Sequence, residues 1–326
     1  MTEPVRKSMP MEDGALSYLE WESGGPTLHF SHANGFNART YRTLLEPLAE
    51  RFHIYAGDLR GHGLSTLATP PGFTRGWTVL RDDMIRFLDG LGGGPVLLAG
   101  HSIGGVVSLM TAVTRPDLVR ALVLVEPVFV PAIAPWLYRL SKILGRKRHV
   151  SPDLAARAAR RRDIFESVEA MEDSYRGRGA FKGWSDAMLH DYVVGGTVPT
   201  EDGKVRLSCA PRVESETFMN TPIAMYRLAR KVACPVTLIH GGQSGSTCHA
   251  REAAIFAAKK PDTRVVTVPD SGHFLPMEHP EVVRDEIVRM GERVGAGVSF
   301  AGEAVRGGHD GRGAIHGQKD SRPRSH

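Results

Sequence analysis

The chain has 326 residues, 41% of them hydrophobic and 24% charged, with 41 Lys+Arg against 36 Asp+Glu for a formal net charge of +5. That balance is of a folded globular protein and excludes a disordered, collagenous or coiled-coil chain, while the length fits one large α/β domain or a core carrying an insertion. A surplus of +5 over this length is no nucleic-acid footprint, which needs clustered charge.

Residues 1–11 predict a flexible leader: a basic pair is present, but no apolar stretch of a secretory signal. Ala15–Glu22 alternates as a half-exposed strand does, and Pro26–Ser31 is a more apolar strand. Tyr41–Phe52 has helical spacing that Pro47 must bend or divide. His53–Gly57 is a short buried strand running into the Gly-rich turn Asp58–Gly63. Trp77–Leu91 is a helix with Leu80, Met84, Phe87 and Leu91 on one face. Val96–Ala99 is a strand apolar on both sides, Ile103–Thr114 a helix stopped by Pro116, and Leu118–Val125 another buried strand. From about Pro131 to Asn220 the pattern turns helical, Arg-rich and poor in buried strands. It resumes with strand Val236–His240, helix Ala253–Ala258, strand Arg264–Val268 and helix Pro280–Arg293. Apolar strands alternating with amphipathic helices predict a mainly parallel sheet covered on both faces. The core therefore spans 12–130 and 221–294, the inserted helical segment 131–220. Residues 295–326 hold eight glycines in 32 residues and few apolar groups, and are expected to form a disordered tail.

No apolar run reaches the roughly 18–20 residues of a membrane span. Cys209, Cys234 and Cys248 have no metal-ligand spacing, and their odd number argues against a disulfide framework. A cytoplasmic protein is expected, with a small-molecule substrate, no membrane or nucleic-acid partner, and no cofactor or metal.

Gly100-His101-Ser102-Ile103-Gly104-Gly105 lies between a strand and a helix, the G-x-S-x-G setting of a nucleophile elbow. The tight turn demands small flanking residues and projects the Ser102 hydroxyl above the sheet edge. The Ile103 N–H, at a helix N-terminus, points to the same spot. A serine hydroxyl needs a base, and His273 in Asp270-Ser-Gly-His-Phe-Leu275 follows the last strand. The loop after the early strand, His32-Ala33-Asn34-Gly35-Phe36, offers the Asn34 N–H as a second oxyanion donor. Phe36, His101, Val128 and Phe274 flank these positions and are candidate pocket residues. Trp136, Tyr138, Phe165, Tyr175, Phe181, Trp184, Tyr192 and Phe218 read mainly as core of the insertion, and the cluster Arg146–Arg148 as a solvated face.

Over about residues 12–294 these motifs, with Asp58-Leu-Arg-Gly-His-Gly-Leu-Ser65, resemble the α/β-hydrolase superfamily in its branch of esterases, C–C hydrolases, epoxide hydrolases and haloalkane dehalogenases. The resemblance implies a sheet of about eight strands, a helical lid inserted after strand six, and a scaffold role for Asp58, Arg60, Gly61 and Gly63. It also implies a carboxylate after the strand that follows the lid. Here Ile239–Cys248 holds no Asp or Glu. Glu126, at the end of Leu118–Val125, is the substitute expected to orient His273; Asp270 is too close along the chain. Ser102 rather than Asp at the elbow favours acyl transfer over dehalogenation or epoxide opening. The expected activity is hydrolysis of small, largely apolar esters through an acyl-enzyme. The alternatives are a C–C hydrolase, perhydrolase or acyltransferase on the same triad, or a ligand-binding relative without catalysis.

Overall fold

A computed structural model of the chain describes residues 3–92, 94–129, 152–222 and 225–295. Its strands are β1 (Val5–Met11), β2 (Gly14–Trp21), β3 (Thr27–Ser31), β4 (His53–Gly57), β5 (Val96–His101), β6 (Val119–Val125), β7 (Ile164–Phe165), β8 (Thr197–Pro199), β9 (Val205–Leu207), β10 (Val236–Gly241) and β11 (Arg264–Val268). Eight of them form the main sheet in the order β1-β2-β4-β3-β5-β6-β10-β11. β1 and β2 pair antiparallel, as do β2 and β4; from β4 to β11 every pairing is parallel. The central strands β5 and β10 are buried at every position, which is why their sequences are apolar on both faces.

The longer helices are α1 (Thr78–Gly90), α2 (Ile103–Thr114), α3 (Pro152–Ala159), α4 (Val168–Tyr175), α5 (Asp186–Gly195), α6 (Pro211–Met219), α7 (Ala250–Lys259) and α8 (Pro280–Gly295). α1, α2 and α7 bury Leu80, Met84, Phe87, Val106, Leu109 and Phe256 on one face of the sheet. α8 and the turns over 38–50 bury Tyr41, Leu44, Leu45, Val283, Ile287 and Met290 on the other. The eight-stranded, mainly parallel sheet with helices on both faces is the architecture expected. None of the described helices is long and apolar enough to cross a membrane.

Two expectations need revision, the leader and the all-helical insertion, while the break at Pro47 is as expected. The flexible leader expected over residues 1–11 is instead strand from Val5, in unbroken register with β2. Sequence patterning missed it because β1 is an exposed edge held by charge as much as by apolar burial. Lys7 pairs with Glu20 at 2.6 Å and Arg6 with Asp58 at 2.6 Å; an edge also tolerates Pro10, which has no N–H to donate. The segment Tyr41–Phe52 is divided, as Pro47 requires, into helical turns at Ala38–Tyr41, Arg42–Leu45 and Glu46–Glu50. The inserted segment, expected to be helical, also contains a small antiparallel sheet in the order β7-β9-β8. Its strands of two or three residues are too short to show a period. The tail over 296–326, Trp136, Tyr138 and Arg146–Arg148 lie outside the described residues.

Between β6 and β10 the described insertion is fastened to the core by polar contacts. Buried Asp191 on α5 accepts from Arg39 Nε and Arg42 Nε, both at 2.9 Å. Asn37 Nδ2 donates to the Tyr192 carbonyl at 3.0 Å, and Trp77 Nε1 to the Thr217 carbonyl at 3.0 Å.

Asp58, read from sequence as scaffold, is fully buried at the end of β4. Its carboxylate accepts from Arg6 Nη1 at 2.6 Å, the Ala38 N–H at 2.8 Å and the Leu64 N–H at 3.0 Å. One side chain thus joins β1, the turn after β3 and the Gly-rich turn. Asp58→Ala leaves the buried Ala38 N–H and the partly buried Leu64 N–H without their acceptor, and Arg6 Nη1 with Ser17 Oγ alone. It is expected to cost about 3–5 kcal/mol in urea unfolding; a loss below about 1 kcal/mol would remove Asp58 from this role.

Candidate active site

The parallel strands β5, β6, β10 and β11 lie side by side, so the loops at their C-terminal ends meet along one edge. Ser102 follows β5 directly. Its φ of +57° is in the left-handed region that non-glycine residues rarely adopt, and its N–H donates to the Val125 carbonyl at 2.9 Å. The elbow is compressed against its neighbours. A Cβ on Gly104 would stand 2.2 Å from the Ser31 carbonyl oxygen, and one on Gly100 2.5 Å from the Gly104 carbon, so neither position admits a side chain. Ile103 opens α2 with its side chain buried beneath the elbow.

Glu126 immediately follows β6 and is fully buried, with its own backbone at φ +45°. Its N–H donates to the Ile239 carbonyl at 2.8 Å. The carboxylate accepts from the Gly241 N–H at 2.5 Å, the Ser246 hydroxyl at 2.7 Å and the Thr247 N–H at 2.8 Å. His273 Nδ1 lies 3.5 Å from Glu126 Oε2. Burial would push the Glu126 carboxyl up. The His273 imidazole, the Gly241 amide and the Ser246 hydroxyl outweigh burial and hold it below the ordinary 4.5. The carboxylate beside His273 Nδ1 thus comes from the end of β6, the strand next to β10. The Asp270 carboxylate is exposed and faces His279 at 3.6 Å.

Sequence reasoning did not single out Ser246, Thr247 or Tyr41. Thr247 Oγ1 lies 3.0 Å from His273 Nδ1, 3.0 Å from the Glu126 carbonyl oxygen and 3.4 Å from Glu126 Oε2. The search of that loop considered carboxylates alone, and hydroxyls passed unnoticed. Tyr41 belongs to a chain of donors. The Ala33 N–H donates to the Tyr41 oxygen at 3.1 Å; because the His273 carbonyl can only accept from His101 Nε2, Nδ1 of the neutral ring is left to accept from the Tyr41 O–H at 2.7 Å. His101 Nε2–H then donates to the His273 carbonyl at 2.8 Å. Burial, and then the nearby His273, keep His101 well below 6.5 and therefore neutral, as this tautomer requires. His101, expected on the pocket wall, is fully buried with both nitrogens engaged. It ties the elbow to the His273 loop instead.

The loop after β3 is held from all sides. The Leu59 N–H donates to His32 Nε2 at 2.9 Å. Asn34 Nδ2 donates to the Glu214 carbonyl of α6 at 3.0 Å, and its Oδ1 lies 3.2 Å from His62 Nε2, so this side chain is a tether. The Asn34 and Ile103 N–H groups have no acceptor among the described residues. The same is true of Ser102 Oγ and His273 Nε2. The two side chains make no direct hydrogen bond, although His273 packs with its ring centroid 4.8 Å from that of His101, the residue before Ser102.

Phe36 and Phe274 stack at 6.2 Å with planes 6° apart. Trp184 closes on both, at 5.6 and 6.1 Å, and Tyr192 on Phe36 at 5.3 Å. Two aromatic residues of the insertion therefore join Phe36 and Phe274 in one aromatic cluster. Phe165, Tyr175 and Phe181 pack behind them. Val128 is not part of that cluster; it packs on the opposite core cluster with Phe129, Tyr226 and Phe256.

Among known proteins the chain is similar to 2-(acetamidomethylene)succinate hydrolase of Mesorhizobium japonicum, 26% identical over 284 residues that cover 87% of this chain and 94% of the relative. It is also similar to haloalkane dehalogenase 2 of Mycobacterium tuberculosis, 27% identical over 284 residues that cover 84% and 91%. The solved structure of E-2-(acetamidomethylene)succinate hydrolase superposes with a TM-score of 0.73 at 25% identity, covering 88% of this chain and 98% of that one. A family model described as the alpha/beta hydrolase family matches residues 30–286, most of the chain and every strand-end loop just described. On this match and this fold, the chain belongs to the alpha/beta hydrolase family.

Proposed function

We propose that this protein is a serine hydrolase of small, largely apolar carboxylic esters, acting through an acyl-enzyme. The observation that carries the reading is the buried Glu126 carboxylate beside His273 Nδ1, on the strand next to the one that presents Ser102. In this reading it stands in for the acid that the loop after β10 lacks, which supports a catalytic role over a non-catalytic one. Similarity to a dehalogenase does not carry over, because Ser102 stands at the elbow where that chemistry needs a carboxylate. The free thiols of Cys209, Cys234 and Cys248 are in keeping with a cytoplasmic enzyme.

In this reading His273 Nε2 removes the Ser102 proton as Oγ attacks the ester carbonyl. The Asn34 and Ile103 amides donate to the oxyanion, each contributing roughly 3–4 kcal/mol to the transition state. His273 then returns the proton to the departing alcohol. It next deprotonates a water that attacks the acyl-enzyme, releasing the acid and restoring Ser102. Glu126 stabilises the imidazolium formed in both halves. The aromatic wall of Phe36, Phe274, Trp184 and Tyr192 gives the substrate an apolar surface.

Ser102→Ala is expected to abolish aryl-ester hydrolysis and labelling by a fluorophosphonate; persistent turnover would refute the reading. Glu126→Gln is expected to lower kcat by roughly 10³–10⁴-fold with the fold intact, and a near-wild-type rate would move the acid elsewhere. The carboxylate also has a stability signature. Its native pKa is depressed, so its contribution is present above about 4.5 and is lost as the pH falls through the lower native value. The difference in Tm between wild type and Glu126→Gln should therefore shrink below pH 4.5; a gap that widens there would contradict the depressed value.

A second reading of the substrate has its own observation. Trp184 Nε1 is buried with no acceptor among the described residues, although its ring meets Phe36 and Phe274. An acyl group bearing a second acceptor would satisfy that N–H, as a substituted succinate of the kind named in two relatives could. Matched esters with and without a keto group on the acyl chain test this. Trp184→Phe should reduce the preference for the keto ester by roughly tenfold; an unchanged ratio favours the plain apolar ester.

A further inference from the structure

The aspect of the site left without a role is the Thr247 hydroxyl. We propose that Thr247 is a positioning residue that fixes the tautomer of His273, so that charge and contact, united in the single acid of an ordinary triad, are divided here between Glu126 and Thr247. This deepens the reading of the site as a serine hydrolase and rests on it.

The argument is a count of donors. Thr247 Oγ1 has one proton and faces three groups: the Glu126 carbonyl oxygen at 3.0 Å, Glu126 Oε2 at 3.4 Å and His273 Nδ1 at 3.0 Å. The first two accept only, because one is a carbonyl and the other belongs to a carboxylate held in its ionised form. If the hydroxyl donated to Nδ1, its lone pairs would be turned on two buried acceptors. Donation to Glu126 instead leaves a lone pair for Nδ1, which must then carry a hydrogen. Nδ1–H forces the free lone pair onto Nε2, the atom that has to receive the Ser102 proton. The direct contact from Nδ1 to Glu126 Oε2, at 3.5 Å, is at the outer limit of a hydrogen bond and is too long to set the tautomer unaided. Thr247 supplies the closer acceptor, and its own O–H passes the polarisation on to Glu126 as the imidazolium forms.

The main chain clamps Thr247 whatever its side chain does. Its N–H donates to Glu126 Oε2 at 2.8 Å, and its carbonyl accepts from the Phe129 N–H at 3.3 Å. Thr247→Val is therefore close to an isosteric removal of the hydroxyl alone.

The test combines a tautomer measurement on the unaltered protein with a variant series. Nitrogen-15 NMR of the wild-type protein at neutral pH should show His273 protonated at Nδ1, with a far-downfield Nδ1 proton; an Nε2–H tautomer overturns the proposal without any substitution. Thr247→Val is expected to lower kcat on an aryl ester by roughly 10- to 100-fold, with KM changed by less than about twofold. Thr247→Ser, which restores a hydroxyl, should recover most of that loss, and the downfield proton should shift in the valine variant and return in the serine one. In a Glu126→Gln background Thr247→Val should lower kcat further. No added loss there, or equal losses for valine and serine, would show that the residue acts only by holding Glu126 or the loop. Melting curves of each variant separate unfolding from lost rate. Ser102→Ala made alongside separates the two claims. An active Ser102→Ala overturns the functional reading and this inference with it; an inactive one beside an unaffected Thr247→Val overturns this inference alone.

Discussion

The site depends on a buried carboxylate kept charged. Glu126 has no solvent, yet its burial is outweighed by the Gly241 amide, the Ser246 hydroxyl and the His273 imidazole, with the Thr247 amide completing the shell. Those partners come from β10, from the loop beyond it and from the loop after β11. A charge left without them would be untenable in such a place, so the carboxylate obliges three separate segments to converge. The φ of +45° at Glu126 is a local cost of turning the side chain toward that meeting point, and Ser102, one strand away, carries a similar strain.

Around this centre the parallel sheet supplies registration. Ser31 pairs with Gly100, His101 with Val125, and Val125 with Ile239. With Gly241 paired to Val268, the loops that carry Asn34, Ser102, Glu126 and His273 therefore begin at nearly the same height along the sheet. What remains is to fix the loops to one another, and neutral buried groups do so. His101, held between Tyr41 and the His273 carbonyl, and His32, bonded to Leu59, act as rigid struts whose burial keeps them uncharged. A strut that gained a proton would lose the acceptor nitrogen on which this geometry rests.

Much of this was legible in the sequence because close packing restricts residue type. Gly100 and Gly104 border Ser102 because no side chain fits there, and unbroken apolar runs marked β5, β6 and β10 as interior strands. The loop after β10 announced a missing carboxylate, and the end of β6 offered Glu126. The hidden parts were those whose signal is not local. β1 is stabilised through Lys7–Glu20 and Arg6–Asp58, pairings that no periodicity reveals. β7, β8 and β9 are too short to alternate. His101 sat beside the elbow and read as a pocket residue, because its partners Tyr41 and His273 lie 60 and 172 residues away. Val128 was displaced for the same kind of reason, since which face of the sheet a residue takes after a strained turn is set by that turn.

The fastening of the insertion reaches beyond stability. Asn34 grips the Glu214 carbonyl, Asn37 the Tyr192 carbonyl, and Arg39 and Arg42 the Asp191 carboxylate. All four grips originate in the short stretch between β3 and β4 that also carries the Asn34 amide, proposed above as an oxyanion donor. In the proposed reading of that amide as an oxyanion donor, its placement is therefore tied to the placement of α5 and α6. The residues that fasten the insertion and the residue whose backbone would face substrate are thus neighbours in one segment, so a substitution made to loosen the first is expected to disturb the second.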